Sequence, residues 1–119
     1  MRRFGFLTAM LLVLAMDGEA DAHAFLLKSD PAVGATVSDL KTLRLEFSEA
    51  IELGFSGIDL ATASGVALAL NGVHFADEAH KVLVAGLPML TAGAYRVRWH
   101  VVSVDTHRTE GEFGFTVKP

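Results

Sequence analysis

The stretch AYRVRWHVVSVDTHRTEGEFGFTVK, residues 94–118, decides the fold. In its first part Tyr95, Val97, Trp99 and Val101 share one face, while Arg96, Arg98 and His100 share the other. In its last part Phe113, Phe115 and Val117 alternate with Glu112, Gly114, Thr116 and Lys118. Successive side chains of a strand point to opposite faces, so a period of two reads as a strand with one apolar side.

Working outward, TLRLEFSE (42–49) repeats the pattern, with Leu43, Leu45 and Phe47 set against Arg44, Glu46 and Ser48. GIDLAT (57–62) and KVLVAG (81–86) are shorter candidates. In VALALNGVHF (66–75), Asn71-Gly72 separates two apolar runs, which is a strong hairpin signal. Asp30-Pro31 and Ala92-Gly93 mark turns. One segment, SEAIELGF (48–55), has any helical character, and Gly54 weakens it. The expectation is an all-β domain: an immunoglobulin-like Greek-key β-sandwich of about seven strands. The Cys–Trp–Cys signature of true immunoglobulin domains is missing, although Trp99 can serve as the core aromatic. A small closed barrel is the alternative.

The N-terminus reads as a leader. Arg2 and Arg3 precede an apolar run from Phe4 to Met16, followed by a polar stretch ending in Ala20-Asp21-Ala22. That order is a basic segment, a hydrophobic segment and an A-x-A cleavage site. The run falls short of the about 20 apolar residues that cross a bilayer. Residues 1–22 are therefore expected to be a cleaved secretory signal peptide, with His23 opening a domain over residues 23–119. Ala22-His23-Ala24 is a second A-x-A, and cutting there would remove the histidine.

The formal net charge is −4, and the balance stays mildly acidic without the leader. Nucleic-acid binding, which leaves a basic footprint, is not expected. The chain has no cysteine, so an exported domain must rest on its core rather than on disulfides. After the leader no segment is long enough to cross a membrane, and the mature domain is expected to be soluble and monomeric.

Asp105 and His107 are two apart, and on an extended segment they share a face. A carboxylate beside an imidazole makes half of a metal site, and it is equally what an exposed salt bridge looks like. A chain that begins at His23 adds a free α-amine and the His23 Nδ1, which can chelate one ion together. With His107 that makes three nitrogens, and Asp105 adds an oxygen. Such a set suits Cu(II). Zinc prefers closed tetrahedral sites, often with Cys, and Cu(I) prefers soft ligands, of which only Met89 remains after the leader. His100 shares its face with two arginines and reads as solvated. His74 and His80 flank FADEA and read as loop residues.

HAFLLKSDPAVGATV, LRLEFSEAIEL and GAYRVRWHVVSVDTHRTEGEFGFTV together resemble the periplasmic copper-resistance protein CopC family. The resemblance covers nearly all of the chain after the leader. It implies a seven-stranded β-sandwich that binds one Cu(II) per chain in the periplasm. It implies His23 (amine and Nδ1), Asp105 and His107 as ligands. It puts Glu49 near the metal, as an axial ligand or beside the ligands. It also implies a CopD-like inner-membrane partner, here a separate protein because the chain ends just after its last strand. Two features depart from the family. The methionine run of a Cu(I) site is missing, so no such site is expected. Many members have Gly between Asp and His where this chain has Thr106, and threonine dislikes positive φ, so the loop is expected to be extended or otherwise accommodating there.

Two other functions compete with a carrier that is not an enzyme. An N-terminal histidine chelating copper also occurs in lytic polysaccharide monooxygenases, but no aromatic stripe suggests a glycan platform. A metal-free structural sandwich is the third reading, and it predicts that removing His23 changes nothing.

Overall fold

The structure, a computed structural model, describes residues 23–119. The expected leader, residues 1–22 with cleavage after Ala22, lies outside the described residues. Nine strands are present among the described residues: β1 (Leu26–Asp30), β2 (Thr36–Val37), β3 (Thr42–Phe47), β4 (Gly57–Thr62), β5 (Ala67–Leu68), β6 (Asn71–Phe75), β7 (Val82–Gly86), β8 (Gly93–Val102) and β9 (Arg108–Val117). The count exceeds the expected seven because β2 and β5 are two-residue strands at the margins of a sheet, too short to show alternation. The helical candidate at 48–55 yields a single 3-10 turn, Leu53–Phe55.

The strands form two sheets, one ordered β1-β3-β7-β6 and the other β2-β9-β8-β4-β5. Every pairing is antiparallel except β2 with β9. Both sheets turn their apolar sides inward. From β3 come Leu43, Leu45 and Phe47, and from β8 come Tyr95, Val97, Trp99 and Val101. Phe47 meets Trp99 edge to face with ring centroids 5.2 Å apart, which joins the sheets at the centre of the core. Gly111 lies opposite Trp99 in the β8–β9 ladder, and a Cβ there would come within 2.6 Å of the indole. The glycine is what lets the indole lie over the β9 backbone. Tyr95 keeps its ring in the core and donates its hydroxyl to the Thr91 carbonyl at 2.6 Å.

The hairpin expected at Asn71-Gly72 does not form. β5 pairs with β4 in one sheet, and β6, which begins at Asn71, pairs with β7 in the other. Gly72 has φ +73°, and the β6–β7 register shifts between Asn71 and Val73. The dipeptide starts a bulged strand after the chain has crossed between sheets, because glycine's left-handed conformation serves a bulge as well as a turn.

Candidate metal centre

β8 ends and β9 begins at one end of the sandwich, and residues 103–107 turn the chain between them. The Ser103 N–H donates to the His107 carbonyl at 2.9 Å, and the Thr106 N–H donates to the Ser103 carbonyl at 2.8 Å. Thr106 has φ +73°. Of the two expectations for this loop, extended or otherwise accommodating, the extended one is overturned. Asp105 and His107 are brought together by a tight turn with a left-handed residue between them, not by strand alternation. A β-branched residue rarely accepts that conformation. The surrounding hydrogen bonds impose it.

In this turn Asp105 Oδ1 lies 3.4 Å from His107 Nδ1, and both side chains are about half exposed. The Ser103 hydroxyl donates to the same Oδ1. That hydrogen bond outweighs the upward push of burial and, with His107 beside it, holds the Asp105 carboxyl below its ordinary range. His107 Nε2 is left as the ring nitrogen turned away from the carboxylate.

His23 reaches the turn from the other end of the chain. Its ring centroid is 4.5 Å from that of His107. The reason lies in the next two residues. Ala24 is buried in the core at 1 % exposure, and its carbonyl accepts the Thr109 hydroxyl at 2.9 Å. The Phe25 N–H donates to Ser48 Oγ at 2.8 Å, and the Ser48 N–H returns a bond to the Phe25 carbonyl at 2.9 Å. A buried methyl and three hydrogen bonds therefore seat the backbone just after His23.

Glu49 lies on the segment that borders both parts. Ser48 binds Phe25, Ala50 accepts the Val104 N–H at 3.1 Å, and Ile51 bridges to Ser103. Its carboxylate forms no hydrogen bond or ion pair among the described residues. The remaining histidines stand apart from this cluster. His100 is half-buried rather than fully solvated, with its ring over Gly57 on the neighbouring strand. His74 belongs to β6 rather than to a loop. His80 lies in the following turn and stacks on Phe75 with centroids 4.1 Å apart. Counting side chains alone, no three of His, Cys, Asp and Glu form a metal-holding group among the described residues. The turn offers pairs, His23 with His107 and His107 with Asp105.

Three contributors escape a reading by residue type: Ser48, Thr109 and Ser103. Ser103 carries a signal nonetheless. It continues the inward series of Val97, Trp99 and Val101, so a hydroxyl stands where the alternation calls for an apolar side chain. Trp99 and Tyr95 are buried and supply no exposed aromatic platform. Among the described residues no helix is long and apolar enough to cross a membrane.

Comparison with known proteins agrees with this architecture. The CopC domain model matches residues 26–118. Protein YobA of Escherichia coli (strain K12) is 34 % identical over 119 residues, spanning 98 % of this chain and 96 % of that protein. Copper resistance protein C of Pseudomonas syringae pv. tomato is 33 % identical over 129 aligned positions, spanning 99 % of this chain and 98 % of that one. The crystal structure of CopC from Methylosinus trichosporium OB3b superposes with a TM-score of 0.76 at 30 % identity, covering 82 % of this chain and 95 % of that one. With a family model spanning most of its length, relatives matched nearly end to end and a solved structure that superposes over most of the chain, the chain belongs to the CopC family.

Proposed function

We propose that this protein is a periplasmic Cu(II) carrier of copper resistance or homeostasis, exported by a leader removed after Ala22. The observation that carries the reading is the meeting of His23 with His107, whose other side faces Asp105. Residues from opposite ends of the chain converge on one exposed turn, and all are nitrogen or oxygen donors. A free α-amine at His23 would complete three nitrogens and one oxygen, a set that suits Cu(II). Cleavage after Ala22 leaves this arrangement whole. Cleavage after Ala24 would discard a buried core residue and the hydrogen bond from Thr109.

In this reading His23 binds through its amine and Nδ1, His107 through Nε2, and Asp105 through a carboxylate oxygen, holding one ion per chain. Glu49 sits on the adjoining segment, as an axial ligand or a neighbour of the ligands. The half-exposed turn allows both capture and release of the ion. The protein is a non-catalytic carrier, as the family's members are, with an immunoglobulin-like Greek-key sandwich as its scaffold. A CopD-like inner-membrane protein is the proposed recipient.

The test is native mass spectrometry of the protein exported with its own leader from copper-supplemented cells. A chain beginning at His23 with one bound copper is the expected result. A chain beginning at Phe25, or one beginning at His23 that takes no copper on titration, would overturn the reading. Adding one residue before His23 should change the visible and paramagnetic resonance spectra, because the amine chelate is then lost.

A further inference from the structure

Ser103 is a polar residue buried whole among the core side chains, at 1 % exposure. A hydroxyl buried at an inward position is costly unless it is hydrogen-bonded. Its single proton goes to Asp105 Oδ1, with the His107 carbonyl 3.3 Å away as a second neighbour. The main chain of Ser103 is held independently of that bond. Its N–H binds the His107 carbonyl, its carbonyl accepts the Thr106 N–H, and it bridges to Ile51 on the adjoining segment. A donor fixed to the core by its backbone therefore grips a carboxylate that is about half exposed on a turn. Without such a grip, a surface aspartate is free to exchange rotamers. With Oδ1 engaged by Ser103 and facing His107 Nδ1, Oδ2 accepts no hydrogen bond from another side chain among the described residues.

We propose that Ser103 is a positioning residue for Cu(II) capture: it locks Asp105 through Oδ1 and so presents Oδ2 as the oxygen donor. This inference rests on the reading of His23, Asp105 and His107 as ligands. Partners that orient a ligand in this way typically change metal affinity by about 10–100-fold when removed. They fix the ligand before the ion arrives, so less ordering is needed on binding.

The experiment is a competition titration of Cu(II) against a chromophoric chelator. It uses the protein beginning at His23, as wild type, Ser103→Ala, Asp105→Ala and the double variant. Ser103→Ala should weaken Cu(II) binding about 10–100-fold and alter the copper hyperfine splitting. In the Asp105→Ala background the same change should alter affinity by no more than about twofold, because the two residues act as one unit. Unchanged affinity in Ser103→Ala, or an equal loss in both backgrounds, would overturn the proposal. If Ser103→Ala does not fold, three-bond couplings in the metal-free wild type decide the matter. One Asp105 χ1 rotamer is expected, and averaged rotamers would overturn it. A wild-type chain that binds no Cu(II) would bring down the ligand reading together with this inference, and that outcome is visible in the wild type alone.

Discussion

The middle of the β8–β9 pair and its tip are built by different rules. In the middle, Tyr95 to Val101 face Thr109 to Phe115 across a regular ladder. Each side chain there is placed by the period of its own strand. At the tip, Ser103 to His107 leave the ladder, Thr106 turns left-handed, and the neighbours are Ile51, Ala50 and His23. The inward face of the middle is buried and apolar, and the Asp105 and His107 side chains at the tip are half exposed and polar. The difference teaches that one pair of strands can separate stability from chemistry. The ladder holds the sheets together, and the tip is left free to gather donors from distant parts of the chain.

The largest effect that would challenge this separation is in the core. Trp99→Ala removes the indole that meets Phe47 and covers Gly111, and should cost about 3–5 kcal/mol in denaturant unfolding. Where the variant is still folded, its Cu(II) affinity should be nearly unchanged. A parallel collapse of affinity in folded protein would show that ladder and tip are not separable.

The converse change is at the tip. His107→Ala should lower Cu(II) affinity by more than the about 100-fold that marks loss of an orienting partner, while the unfolding midpoint of the metal-free protein hardly moves. His100→Ala, on the same strand pair but over Gly57, should leave affinity as it is. Equal affinities for the two variants would remove the ligand assignment.

The smallest effect sharpens the comparison at a single backbone angle. Thr106→Gly relieves a β-branched residue held at φ +73°, against the greater freedom glycine has when unfolded. A left-handed non-glycine residue costs about 1–3 kcal/mol, so a net gain of about 1 kcal/mol is expected. Thermal unfolding of the metal-free protein measures it. A loss of stability would mean that the threonine side chain contributes more to the turn than its backbone costs.

Much of this is legible in the sequence. The inward faces of β3, β8 and β9 follow the period of two residue by residue, because alternation is a local property of an extended chain. Asp105 and His107 were legible as a pair by spacing, though for the wrong geometric reason. Asn71-Gly72 misled, because a left-handed glycine is needed by a bulge and by a hairpin alike.

Sequence by itself determined the all-β class, the apolar faces, the absence of disulfides and the donor types at residues 23, 105 and 107. Tertiary structure alone decided that β5 and β6 lie in different sheets, and that His23 and His107 meet. It also decided that Ser103 turns its buried hydroxyl to Asp105. The physical reason is one of range. A strand's period is written by residues two apart. The encounter of His23 with His107 depends on Ala24 filling the core and on Ser48 and Thr109 hydrogen-bonding its neighbourhood, contacts that exist only once the sheets have packed.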